Sequence, residues 1–303
     1  MFGDRSMAIT LLRESADNSV FVVGGGVDKK ILRISKRLPV EDIKFECQAV
    51  NYLLRNDVAV PRFLPTVSGE YYAIIDGDVA VLFEFMRGHH IQVDKVHLPS
   101  VTQAFEAGRG LAHIHNAGEG FLPSSTRRRT IFSELERVLP LRNIFEVQFA
   151  GGADFVKEVE SALEFGKADN EICGLIHNDF RPSNVFFDES DRLAGIIDFD
   201  WSCIGPIEKD VALGVLEWSF PDGAEAPDFT VFDSFLAGYN SIANKKQAKD
   251  QQLYKWISFA ALSDAATYFC DRIDDPDTKK RVSASYMYKK FEFFTKNCPG
   301  SIL

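Results

Sequence analysis

One stretch of the chain gathers most of its chemistry: His177-Asn178-Asp179-Phe180-Arg181-Pro182-Ser183-Asn184. An aspartate stands two residues after a histidine, and an asparagine five after the aspartate. Fourteen positions past Asn184 lies Asp198, inside Ile197-Asp198-Phe199-Asp200-Trp201. A carboxylate, an amide and a second carboxylate on two short motifs suit phosphoryl transfer. One carboxylate accepts or orients the proton of an attacking hydroxyl. The amide oxygen and the other carboxylate hold Mg²⁺ against phosphate oxygens. The intervening NVFFDESDRLAGIID reads as two apolar strands around a polar turn, which would return Asn184 and Asp198 to one place.

Other chemistries find less support. The five cysteines are scattered, without CxxC or metal-ligand spacing, and read as free thiols of a reducing compartment. Gly24-Gly25-Gly26 invites a phosphate-loop reading, but no GK[ST] follows it. The net charge of −10 disfavours a nucleic-acid partner, and Arg127-Arg128-Arg129 reads as a solvated helix entrance. No run approaches the ~18–20 apolar residues of a membrane span. The start carries no secretory signal, so a cytoplasmic protein without a membrane partner is expected. His115 is expected to pack within its helix.

The positioning elements follow from periodicity. ITLLRES, NSVFVV and KILRIS alternate as three strands, the last two joined by the hairpin turn GGGVDK. Residues 41–56 repeat apolar positions at helical spacing, and YYAIID and VAVLFEFM follow as further strands around Gly77. Helices are predicted over 98–116, 130–139 and 155–165. After the strands around the two motifs, more are predicted over 209–217, 229–244, 249–272 and 278–296. The expected fold is α+β and bilobal: a lobe of residues 1–87, an antiparallel sheet with one helix, and a mainly helical lobe of residues 88–303.

HNDFRPSN followed by IDFDW resembles the aminoglycoside phosphotransferase and choline-kinase superfamily, small-molecule kinases with a protein-kinase-like fold. Protein kinases use the same Asp-to-Asn spacing, with a metal-binding aspartate after a hairpin. The resemblance covers residues ~10–245 by the order of elements and motifs. It implies ATP and Mg²⁺ as cofactors, Asp179 as the catalytic group, and Asn184 and Asp198 as metal ligands. It also implies a cation on the third strand paired with a helix glutamate. Lys30 and Arg33 both lie there. Alternation favours Arg33, because Ile31 then shares its face and can cover adenine, whereas Lys30 would share its face with Asp28. Glu46 is the expected partner. Arginine here departs from the usual lysine, and Lys30 stays in reserve. Ser15, Asn18 and Ser19 fall in the loop expected to cover the phosphates. Glu84, Phe85 and Met86 form the linker whose backbone is expected to read adenine. His177 and Asp210 are expected to support the catalytic loop. Asp200 is either a second metal contact or a structural acid.

Only twelve positions separate Asp198 from Asp210, too few for a long activation segment and peptide groove. A small-molecule hydroxyl is therefore the expected acceptor. The C-terminal helices, with Trp218, Tyr239, Trp256, Tyr268 and Asp264, are expected to wall it. DVALGVLEW is similar to the matching stretch of type II homoserine kinases; an aminoglycoside is the rival acceptor, and choline, methylthioribose and hydroxylysine stay open. ATP versus GTP and the oligomeric state stay open. The alternative is a nucleotide-binding pseudokinase acting as a scaffold, with Arg33 as its support.

Overall fold

The computed structural model describes residues 8–15, 17–94, 97–169, 173–278 and 280–297. Ala16 of the expected phosphate loop and Cys298 lie outside them. The chain opens with β1 (Ile9–Glu14), β2 (Asn18–Val23) and β3 (Lys30–Ser35), then α1 (Val40–Arg55), β4 (Phe63–Leu64), β5 (Ala73–Ile75) and β6 (Asp78–Glu84). These strands form one antiparallel sheet in the order β1-β2-β3-β6-β4, with β5 also paired to β6. Gly24 and Gly26 supply the positive φ that the β2–β3 connection requires. α1 presses Ile43, Phe45, Val50 and Leu53 into the core, so this helix is fixed by packing as well as by propensity.

The helical lobe follows with α2 (Val101–Gly118), α3 (Ser133–Glu136), α4 (Arg142–Gln148) and α5 (Gly152–Ala168). Next come β7 (Cys173–Ile176), β8 (Val185–Phe187), β9 (Leu193–Ile196) and β10 (Cys203–Pro206). The chain closes with α6 (Ile207–Ser219), α7 (Phe229–Ile242), α8 (Gln251–Asp271) and α9 (Tyr286–Asn297). The architecture is bilobal α+β, as expected. β8 pairs with β9 as the hairpin between the two motifs, and β10 returns to β7.

Several boundaries differ from expectation. The helix predicted over 130–139 shrinks to α3, followed by a 3₁₀ turn at Leu139–Leu141. Pro140 has no N–H to continue an α-helix through that point. The helix predicted from residue 278 begins only at Tyr286, after a 3₁₀ turn at Val282–Ala284. β4 was not anticipated; two residues after Pro61 are too short a run to read.

The chain leaves β6 at Glu84 and crosses to the second lobe over the β8–β9 hairpin. Gly88 (φ +125°) passes so close to Phe187 that a Cβ there would meet its carbonyl oxygen at 2.5 Å. His89 and Phe187 then exchange backbone hydrogen bonds of 3.0 and 2.8 Å. Met86 lies over Gly195, whose missing side chain makes room for the Met86 sulfur. The linker is thus keyed to the hairpin that carries Asn184 and Asp198.

Candidate active site

The catalytic loop hangs from a buried base. Asp210, near the start of α6, accepts the backbone N–H of His177 at 2.8 Å and of Asn178 at 2.7 Å. His115 Nε2 donates to the same carboxylate at 3.0 Å, and its Nδ1 accepts from the Tyr239 hydroxyl at 2.9 Å. Burial alone would raise the Asp210 carboxyl, but His115 holds it below the ordinary carboxylate range. Lys209 reaches the side-chain oxygen of Asn178, and the Asn178 amide donates to the Trp201 carbonyl at 3.1 Å. This network holds Asn178 at φ +63°, in the left-handed region that asparagine tolerates better than most residues. His177 donates from Nε2 to the Ile197 carbonyl at 2.9 Å and packs between Phe199 and Phe180. His177 and Asp210 thus lie beneath the loop. His115, read from sequence as a packing residue, does more: it is one of the partners of Asp210.

Above the base, Asp179 and Asn184 meet. The Asn184 amide nitrogen donates to the Asp179 carbonyl and to Asp179 Oδ2, both at 2.9 Å. Both bonds use the nitrogen and spare the amide oxygen. Asp179 Oδ1 accepts from Arg181 Nε at 2.6 Å. Burial raises the Asp179 carboxyl above its usual range against the pull of Arg181.

Asp198 occupies the left-handed region at φ +69°, opening the 3₁₀ turn Phe199–Trp201. Non-glycine residues so held cost about 1–3 kcal/mol and concentrate at sites of function. Although 33% of the Asp198 side chain meets the cleft, burial and then the neighbouring Asp200 push its carboxyl well above the usual range. Asp200 Oδ2 accepts from the Asn18 amide at 3.0 Å, while its buried Oδ1 has no partner. Crowded carboxylates with a bare buried oxygen mark a place for a cation. Among the described residues no group of three or more His, Cys, Asp or Glu is arranged to hold a metal. Two carboxylates and an amide oxygen nevertheless suit Mg²⁺, which usually takes one or two carboxylates and completes its shell with phosphates and water. The donor set fits that ion.

Arg33 approaches from the sheet. Its Nη1 lies 3.0 Å from Glu46 Oε1 and its Nη2 2.5 Å from Oε2, a bidentate pair buried on both sides. Nη1 also stands 3.7 Å from Asp198 Oδ1. Burial would lower the Arg33 pKa, but Glu46, Asp200 and Asp198 together raise it above the ordinary value. Lys30 instead bonds the Asp28 carbonyl at 3.3 Å at an exposed position.

The remaining expected residues divide. Asn18 joins the site through Asp200, and its side-chain Oδ1 accepts from the Ser35 hydroxyl at 2.9 Å. Ser15 spends its hydroxyl inside the β1–β2 turn, and Ser19 bonds Glu14 at 3.4 Å. The Glu84 N–H is taken by the Arg62 carbonyl at 3.0 Å, so the backbone of Phe85 and Met86 is the part of the linker left to meet a base. Of the expected acceptor wall, Trp218, Tyr239 and Trp256 are core residues at 0%, 1% and 0% exposure. Their size made them inviting, yet large rings at helical spacing fill an interior first. Asp264 is different: it stays partly exposed and lies 3.4 Å from Arg181.

The basic triplet also differs from its reading. Arg127 is buried; it donates to the backbone carbonyl of Asp200 and to the Asp42 carbonyl at 3.2 Å, and lies 3.5 Å from Asp42 Oδ2. Arg128 N donates to Asp42 Oδ1 at 2.9 Å, and the Arg129 guanidinium stacks 3.7 Å from the Trp201 ring centre. Gln48 and Ser125 extend the strap with a 2.6 Å bond. The segment ties α1, and with it Glu46, to the Asp200 turn. A run of three arginines gave no hint of this, because the partners lie 71–86 positions away in the chain.

The four described cysteines are free, and burial pushes the Cys203 thiol up to about 12, so it is inert at neutral pH. Among the described residues no helix is long and apolar enough to cross a membrane.

The chain is 30% identical over 292 residues to a homoserine kinase of Sinorhizobium medicae, covering 94% of this chain and 84% of that one. A homoserine kinase of Sinorhizobium fredii is 29% identical over 269 residues, covering 87% and 78%. Among solved structures, a microcompartment-associated aminopropanol kinase superposes with a TM-score of 0.70 at 18% identity, over 98% of this chain and 95% of that one. The amicoumacin kinase hAmiN, solved with AMP-PNP, Ca²⁺ and Ami, gives 0.73 at 15% identity, over 97% and 90%. Residues 8–243 match the phosphotransferase enzyme family, APH. The chain therefore belongs to this family.

Proposed function

We propose that the chain transfers the γ-phosphoryl group of ATP to a hydroxyl of a small amino alcohol, with homoserine the first acceptor to test. The observation that carries this reading is the convergence of Asp179, Asn184 and Asp198 within reach of the Arg33–Glu46 pair. Each has a task. Asp179, its carboxyl raised by burial, orients the acceptor hydroxyl and takes its proton as the new O–P bond forms. The bond from the γ-phosphorus to the bridging oxygen breaks, and ADP leaves with that electron pair. Asn184 and Asp198, with Asp200, would hold Mg²⁺, which neutralises charge on the phosphate oxygens. Arg33 would face the phosphates from above, oriented by Glu46. The β1–β2 turn with Ser15, Asn18 and Ser19 would close over them, and the linker at Glu84–Met86 would read adenine. The homoserine kinases at 29–30% identity favour a homoserine-like acceptor over an aminoglycoside.

A scaffold without transfer activity had Arg33 as its support. That support weakens where the arginine makes both halves of the pair with Glu46.

The test is a coupled ADP-release assay with Mg·ATP against amino alcohols, sugars and aminoglycosides, repeated with Asp179→Asn. Saturable turnover is expected, falling about 10²–10⁴-fold in the variant while calorimetric nucleotide binding persists. Equal turnover by Asp179→Asn would remove Asp179 from the chemistry.

A further inference from the structure

One wall of the cleft beside Asp179 is built from charges that the transfer step does not use. The cleft, of about 480 Å³, is lined by Arg181, Glu217, Asp222 and Lys290 together with residues 90–94. Glu217 comes from α6 and Lys290 from α9, and Asp264 of α8 stands just behind Arg181. α8 and α9 lie beyond residue 243, where the family match ends.

The wall presents a coupled pair. Lys290 Nζ lies 3.4 Å from Glu217 Oε1 and 3.0 Å from Asp222 Oδ1, with its side chain only 4% exposed. An ammonium has three donors, so one is unspent. The other Glu217 oxygen, Oε2, stands 3.9 Å from Arg181 Nη1, beyond hydrogen-bond reach. A nearly buried carboxylate and ammonium thus sit side by side, one with a spare acceptor and the other with a spare donor. Lys290 and Arg181 hold Glu217 below the ordinary carboxylate range against the effect of burial, so it is anionic at neutral pH. Burial would lower the Lys290 ammonium, but Glu217 and Asp222 raise it, so it stays cationic.

An α-amino acid carries its ammonium and carboxylate on one carbon, in the complementary order to this pair. Arg181 also measures the distance to the reacting group: its Nε is 2.6 Å from Asp179 and its Nη1 3.9 Å from Glu217. An amino acid whose hydroxyl lies a few carbons from its ammonium spans the same gap.

Resting on the phosphotransfer reading, we propose that the acceptor is a hydroxy α-amino acid, its ammonium bound by Glu217, its carboxylate by Lys290 and its hydroxyl by Asp179.

The experiment compares three acceptors with the wild-type protein by ADP release: homoserine, 3-aminopropan-1-ol, which lacks the carboxylate, and 4-hydroxybutyrate, which lacks the ammonium. Each analogue is expected to lose about 30-fold or more in kcat/KM, since each gives up one of the two charge-assisted contacts. In Glu217→Gln the advantage of homoserine over 4-hydroxybutyrate should collapse while the KM for ATP holds. In Lys290→Met its advantage over aminopropanol should collapse. The wild-type series needs no variant to fold, and a change in acceptor preference is not something lost packing alone would produce. Analogues turned over as well as homoserine would overturn this assignment alone. No turnover of any of the three, nor of an aminoglycoside, would overturn it together with the phosphotransfer reading.

Discussion

The base of the catalytic loop and the face above it are built from the same residue types and behave oppositely. At the base, the Asp210 carboxylate is met by two backbone N–H groups and His115, and its pKa is lowered. At the face, Asp179 and Asp198 are pushed up by burial, and Asp200 keeps a buried oxygen without a partner. The first region is satisfied by the protein itself and fixes a geometry. The second is under-compensated and leaves that geometry to be completed by a cation and phosphates. Stability and reactivity are divided between two layers a few residues apart.

The difference predicts opposite signs for the removal of a carboxylate. Asp210→Ala strands two buried N–H groups and His115, and is expected to cost about 3–5 kcal/mol in denaturant unfolding. A loss below about 1 kcal/mol would mean that the base is not what holds the loop. Arg127→Met cuts the strap between α1 and the Asp200 turn. It should weaken Mg²⁺-dependent ADP binding about tenfold by calorimetry, with a smaller loss of thermal stability; unchanged binding would reduce the strap to packing.

The smallest effect concerns pH. Burial raises Asp264 to about 6, opposed by Arg181. A carboxyl whose folded pKa lies above its unfolded value lowers stability when ionised. That penalty is full above about pH 6 and fades as the pH falls toward the unfolded value near 4. Asp264→Asn should therefore melt higher than wild type at pH 8, with the gap closing toward pH 4. A gap that widened on acidification would reverse the assignment.

Much of this was legible in the sequence because it is local. Asn184 and Asp198 come together because a single hairpin joins them, and Asp179 is held to Asn184 five positions on by two hydrogen bonds. Strand alternation separated Arg33 from Lys30, since a period of two decides which residues share a face. What was hidden depends on distant partners. His115 and Asp210 are 95 positions apart, and Lys290 and Glu217 are 73 apart. No periodicity reports such pairs. Arg127 looked like a surface charge because burial of an arginine depends on acceptors that only the fold assembles. The aromatic residues misled in the other direction, as their size suggested a binding wall where the core required volume.

The most direct test of the under-compensated face is calorimetric titration of ADP with and without Mg²⁺, in wild type and in Asp198→Asn, beside the melting temperature of each protein without ligand. Metal-dependent nucleotide binding is expected in the wild type, and its loss in the variant. The variant is also expected to melt no lower than wild type, because the removed charge was crowded by Asp200. A variant that binds Mg·ADP as tightly as wild type, or that is strongly destabilised without ligand, would contradict this assignment.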